Sequence, residues 1–175
     1  SAAAFGFIVY VFFYTPIKRA SYWSTAVGSS AGAAPIVVGY AAAIDRLDLA
    51  AFILFVALAL WQMPHFYAIA LYRIEEYRAA NIPILPLAKN IATTKKQIVW
   101  YIAAFTLAAA SLSPFGFAGI SYFVIVLLAG IAWLAYALAG FSNRNAASWA
   151  RGVFKVSLLV MLVFSCAIAL APLLP

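Results

Sequence analysis

Apolar residues run along this chain in long blocks, and polar residues gather into short links between them. The blocks read Ser1 to about Tyr14, Ser21 to Ile44, Leu49 to Tyr72, Gln97 to Leu112, Phe117 to Gly140 and Trp149 to Leu170. A run of about 20 apolar residues is long enough to cross the hydrocarbon of a bilayer as a helix. The uncharged run from Gln97 to Asn143 is too long for one crossing, and Ser113-Pro114-Phe115-Gly116 divides it in two. One polar stretch, residues 73–96, is much longer than the other links. The pattern therefore predicts an all-α polytopic transmembrane bundle of six spans in a single domain.

Composition sharpens that reading. Hydrophobic residues make up 68% of the 175 residues and charged residues 9%, against about 25% charge in a typical soluble domain. Such a chain cannot cover itself with polar surface in water, whereas in lipid its helices satisfy their own backbone hydrogen bonds. The single Cys166 lies in an apolar block, which excludes an internal disulfide framework. The formal charge of +7 suits loop cations that set topology better than it suits nucleic-acid binding.

The charge is distributed unevenly. The first, third and fifth links, with the residues just after them, hold Lys18, Arg19, Arg73, Arg78, Lys89, Lys95, Lys96, Arg144, Arg151 and Lys155. The second and fourth hold only Arg46. The positive-inside rule then places loops 15–20, 73–96 and 141–149 in the cytoplasm. The apolar N-terminal block would begin outside, which leads us to expect an odd number of further spans before it in an intact protein. Ser24, Gly28 and Gly32 recur at four-residue spacing in the second block, as in helices whose backbones approach closely. Pro35 and Pro64 each remove a helix hydrogen bond, which a membrane helix tolerates beside a neighbour or a cavity.

Candidate chemistry concentrates around three segments. His65, the only histidine, lies in the third block near its predicted cytoplasmic end. If that helix continues past Tyr72, then His65, Tyr72 and Glu76 share a face to within about 40°, and Arg73 can pair with Glu76. Polar groups on one face inside a bilayer suggest a functional site. A hydrogen-bonded interfacial histidine and a solvated charged loop are the plainer alternative. Tyr14 with Lys18 and Arg19 places two cations beside a phenol at a helix end, which suits a phosphate ligand or simply lipid headgroups. Lys89, Lys95 and Lys96 read mainly as topological charges, with an anion contact as the alternative.

The segments YTPIKR, GSSAGAAPIVVGY and WQMPHFYAIALYRIEEYRAANIPILPL, in this order, closely resemble the heme O synthase family. That family is a branch of the UbiA-type intramembrane aromatic prenyltransferases, and the resemblance extends over nearly the whole chain. It implies nine helices around a central cavity, of which these six spans would be the last. It implies transfer of farnesyl from farnesyl diphosphate to a vinyl group of heme b, giving heme O, in a bacterial cell inner membrane. By the same resemblance Tyr14, Lys18, Arg19, Arg73 and Glu76 would be catalytic, and His65, Tyr72, Tyr77 and Lys89 would bind substrate. Glu75 and Glu76 would hold Mg2+, together with acids of a first aspartate-rich loop that this chain does not contain. His65 would orient heme, either as an iron ligand or through a propionate contact. Membrane lipid is an implied partner, heme A synthase or terminal-oxidase assembly proteins are further ones, and nucleic acid is not. Without the first acidic loop, the 175-residue chain is expected not to transfer farnesyl by itself. Prenylation of a quinone or chlorophyll precursor, and a non-enzymatic transport or assembly bundle, remain the rival readings.

Overall fold

The computed structural model describes residues 2–171, and every regular element among them is helical. The first apolar block is one continuous rod in three segments: α1 (Ala2–Ile8), a π-helical stretch (Val9–Tyr14) and α2 (Thr15–Ile17). Then come α3 (Ser24–Ile44) and α4 (Leu49–Tyr72), the short helices α5 (Ile74–Ala79) and α6 (Leu85–Ala88), and α7 (Ile91–Ala110), α8 (Ile120–Ala139) and α9 (Ala146–Leu170).

Four of the described helices, α3, α4, α8 and α9, are long and apolar enough to cross a membrane. The count from block pattern alone is six. The rod is divided by its π-helical stretch, and its uninterrupted apolar part is short. α7 has the length, but its first two turns carry Thr93, Thr94, Lys95, Lys96 and Gln97, which lower its mean hydropathy.

Local sequence sets the helix ends. Asp48 starts α4 by accepting a hydrogen bond from the Ala51 N–H at 3.1 Å, and its other oxygen receives the Tyr40 hydroxyl and the Arg46 guanidinium, each at 3.0 Å. Asn90 and Asn145 cap α7 and α9 in the same way, at 2.7 and 3.0 Å. Such side-chain caps satisfy the N–H groups that a helix start leaves without partners. Asp45 closes α3 in the left-handed conformation, at φ 55°.

α4 is the hub, packing on α3, α7 and α9; α7 packs on α8 and α8 on α9, so α4, α7, α8 and α9 close a four-helix ring. Its centre holds Phe105, Trp133 and Phe164, with Phe105 edge-on to both partners at 6.0 and 5.7 Å. The polar ends of the buried aromatics find helix carbonyls: Trp133 donates to Val153, Trp149 to Ala137 and Tyr122 to Ala109. That satisfaction is obligatory where no water is available. Lys95 is buried and donates to the carbonyls of Phe141 at 2.8 Å and Asn143 at 3.0 Å. It fastens the start of α7 to the α8–α9 turn, a structural role beyond that of a topological charge. Large apolar side chains such as Leu128, Ile131, Leu159 and Leu162 point outward from α8 and α9, as a lipid-facing surface requires. On the opposite side of α4, α3 carries the rod along its flank.

Candidate active site

Pro16 has no N–H to give to the turn before it, and that turn opens into the π-helical stretch. Thr15 donates its backbone N–H five residues back to the Tyr10 carbonyl, which also receives the Thr15 hydroxyl at 3.0 Å. π turns recur at functional sites because they re-aim side chains. Here Tyr10 and Tyr14 lie 5.2 Å apart, ring to ring. Tyr14 rests on α3 at Gly28, where a Cβ would stand only 2.9 Å from its ring. Gly32, one turn on, similarly makes room for the Gln62 side chain of α4. The small residues at four-residue spacing thus admit two side chains rather than a neighbouring backbone.

Between the rod, α3 and α4 lies a cavity of about 500 Å³. One wall is Tyr10, Tyr14, Lys18, Arg19, Ser24, Thr25 and Gly28; the other is Phe66, Ala70, Tyr77, Ile82 and Ile84. Lys18 and Arg19 are exposed and have no acidic partner among the described residues. Unpaired cations beside two phenols make this an anion-seeking end, and Phe66, Ala70, Ile82 and Ile84 give the same cavity an apolar wall. Burial pushes the Tyr77 phenol above its ordinary range, and nearby Tyr14 adds to the effect. Tyr77 is thereby kept as a neutral hydrogen-bond donor.

The helix does not continue past Tyr72. Arg73 breaks it, at φ −109° and ψ 23°, and α5 starts afresh at Ile74. Glu76 therefore does not share a continuous face with His65 and Tyr72. Arg73 pairs with Glu76 at 3.2 Å, and Arg78 pairs closely with Glu75. All four are exposed. Among the described residues no three acid, histidine or cysteine side chains converge as a metal cluster. Lys89 lies apart from the cavity, its ammonium 5.8 Å from the Tyr22 ring.

His65 and Tyr72 sit on the side of α4 that meets α9. The imidazole stacks on Trp61 at 4.6 Å and meets Phe154 at 4.9 Å. Its Nδ1 is 2.8 Å from the Ser157 hydroxyl. The structure thus joins Tyr14, Lys18, Arg19 and Tyr77 around one cavity, with Arg73, Glu75 and Glu76 on the adjoining segment and His65 and Tyr72 in a separate seam. Sequence reasoning missed Tyr10, Thr25, Phe66, Ala70, Ile82 and Ile84 as lining residues, and Ser157 as a partner. Of these only Ile82 and Ile84 had a local signal, lying beside Pro83 and Pro86 in the recognisable NIPILP run.

The model of the UbiA prenyltransferase family matches residues 1–170. The chain belongs to that family. Its relatives include proteins named protoheme IX farnesyltransferase. One from Protochlamydia amoebophila is 47% identical over 95% of this chain and 59% of its own length. One from Photorhabdus laumondii is 42% identical over 99% and 59%. A protoheme IX farnesyltransferase 2 from Pseudomonas putida is 47% identical over 93% and 56%. The chain therefore spans a little over half the length of these relatives. No solved structure matches it. As a UbiA-family chain with four long apolar helices it is an integral membrane protein.

Proposed function

We propose that this UbiA-family chain supplies part of the active site of a heme b farnesyltransferase. The single observation that carries this is the cavity in which Lys18, Arg19, Tyr14 and Tyr77 meet an apolar wall, in a chain 42–47% identical to proteins named protoheme IX farnesyltransferase. A prenyl diphosphate needs that pairing: cations and neutral donors for the diphosphate, apolar walls for the isoprenoid.

In the proposed reaction the C1–O bond of farnesyl diphosphate breaks, and both electrons leave with the diphosphate. Lys18 and Arg19 stabilise that charge as it develops, and Tyr14 and Tyr77 donate hydrogen bonds to it. The π electrons of a heme vinyl group form the new bond to C1. Water then adds to the cation left beside the pyrrole and loses a proton, which gives the hydroxyethylfarnesyl side chain. Glu75 and Glu76 offer the hard oxygens that Mg2+ takes, and such sites are commonly one or two carboxylates completed by phosphate oxygens. They therefore fit this metal as part of a shell, with Arg73 beside Glu76 as a further anchor for the diphosphate. Bound Mg2+ would neutralise charge on the leaving group. The sidedness read from loop charge, in a bacterial inner membrane, would bring diphosphate to this end of the bundle from the cytoplasm.

The test supplies radiolabelled farnesyl diphosphate with either heme b or 4-hydroxybenzoate to the membrane-embedded protein. Label in a heme product supports the reading. Label in 4-hydroxybenzoate alone replaces it with quinone-precursor prenylation, and label in neither sinks the prenyl-transfer reading.

A further inference from the structure

Ser24 and Thr25 open α3, and both line the cavity that holds Lys18 and Arg19. The starts of α4, α7 and α9 are each closed by an Asp or Asn side chain. The start of α3 is not: its cap position is Trp23, whose indole can only donate. The Ser24 N–H turns back to the Ser21 carbonyl, and those of Ala26 and Val27 turn back to Trp23. The Thr25 N–H has no acceptor among the described residues.

The side chains supply an independent observation. Ser24 is only 9% exposed, yet its hydroxyl has no hydrogen-bond partner among the described residues. Further along the same helix, Ser29 and Ser30 both donate to the Ala26 carbonyl, at 2.8 and 3.3 Å. A buried hydroxyl left without a partner is costly. No side-chain oxygen among the described residues is both sealed in and unpartnered, so the Ser24 hydroxyl opens onto the cavity it lines. Thr25, half-buried beside it, also keeps its hydroxyl free. The first turn of α3 therefore presents two hydroxyls and one N–H to the cavity, next to two unpaired cations. The N–H groups of a helix start carry about half a positive charge, and phosphates bind there readily because each oxygen takes several donors.

We propose that the first turn of α3 is a neutral cradle for the leaving diphosphate, in which the Ser24 and Thr25 hydroxyls and the Thr25 N–H donate to its oxygens while Lys18 and Arg19 neutralise its charge. The proposal rests on the prenyl diphosphate reading above and adds binding residues to it. As the C1–O bond breaks, charge gathers on the diphosphate oxygens, and donors fixed by a helix meet it without reorganising. The two donor sets differ in a measurable way. Attraction from the exposed Lys18 and Arg19 is screened by salt, whereas short-range hydrogen bonds from hydroxyls are much less so.

Radiolabelled inorganic diphosphate is titrated against the membrane-embedded protein at low and high salt, with thermal stability followed in parallel. Ser24→Ala and Thr25→Val should each weaken binding about 10- to 100-fold. Salt dependence should be kept and the melting temperature unchanged, since neither hydroxyl has a protein partner to lose. Thr25→Ser should bind as wild type does. Arg19→Ala should weaken binding mainly at low salt and flatten the salt dependence. Glycerol 3-phosphate, the phosphate ester of a lipid headgroup, should compete only weakly; competition equal to that of diphosphate would assign the cradle to lipid headgroups instead. Wild-type affinity in both Ser24→Ala and Thr25→Val would overturn the cradle while leaving the cation site intact. Affinity and melting temperature lost together would make the two residues structural and overturn it equally. Absence of diphosphate binding by the wild type would remove the cavity reading as well.

Discussion

Lys18 and Arg19 differ from the other cations around them in being adjacent, unpaired and set against a cavity that also holds three phenols. Arg73 and Arg78 already have carboxylate partners, and Lys95 is spent on two backbone carbonyls. Arg19→Ala should therefore raise the KM for farnesyl diphosphate and the inhibition constant of free diphosphate together. Arg19→Lys should recover only part of the loss, because a point charge cannot reproduce a bidentate guanidinium contact. Unchanged inhibition in Arg19→Ala would take the residue out of the site. Glu76→Gln preserves size at an exposed position, so turnover should fall with little change in thermal stability. Wild-type turnover in that variant would exclude a role for Glu76 in holding metal. Tyr77, raised by burial, should stay neutral across the working range, and the alkaline limb of the rate profile should not move in Tyr77→Phe. The residue types at Lys18, Arg19, Tyr14 and Tyr77 were legible in sequence. Ser157 was not, because a serine in an apolar helix looks the same whether it bonds its own carbonyl or a histidine 92 residues away.

At the scale of elements, glycine positions decide where side chains can lie. A Cβ at Gly28 would push into the Tyr14 ring. Gly28→Ala should reduce turnover about 10- to 100-fold by moving the phenol, while Gly32→Ala, which crowds buried Gln62, should cost about 1–3 kcal/mol of stability. Equal loss of folding in both would mean that Gly28 serves packing alone. The N-cap of α4 gives a second element-level expectation. Burial works to raise the Asp48 pKa, but hydrogen bonds from Ala51 and Tyr40 and the charge of Arg46 outweigh it, and the net shift is downward. A carboxyl depressed in the folded state stabilises above its unfolded value of about 3.9, and that contribution is lost as pH falls through the folded value. Thermal stability should thus fall on acidification below about pH 4, and Asp48→Asn should flatten that dependence. The apolar blocks made these helices readable. The break at Arg73 was not readable, since Ala-Leu-Tyr-Arg-Ile-Glu-Glu-Tyr is mostly good helix formers and lacks proline and glycine. Its position depends on how α5 and α6 turn back over α4.

For the whole molecule, the all-helical membrane class followed from hydropathy because lipid permits little else. The arrangement of α3 and the rod on one side of α4, with a closed four-helix ring on the other, did not, because contacts between apolar helices leave no periodic mark when every face is apolar. Sidedness remains testable as a whole-molecule property. In a Cys166→Ser background, Ala79→Cys and Ile44→Cys should react with a membrane-impermeant thiol reagent from opposite faces of sealed vesicles. Labelling of both from one face would refute the orientation assigned from charge.

The π turn in the rod also acts as a register key. At about 100° per residue, Gly6 and Tyr14 would be roughly 80° apart on an unbroken α-helix. A π turn absorbs one extra residue, which brings the two back to within about 20° of a common line. Both then meet α3, Tyr14 at Gly28 and Gly6 at Ala34, where a Cβ would approach to 2.7 Å. Forcing Val9–Tyr14 into ordinary α-helical hydrogen bonding at unchanged length would leave the segment just as apolar. It would also rotate everything before it by a quarter turn, so either Gly6 leaves Ala34 or Tyr14 leaves the cavity. A more regular helix of the same length would be the poorer one here.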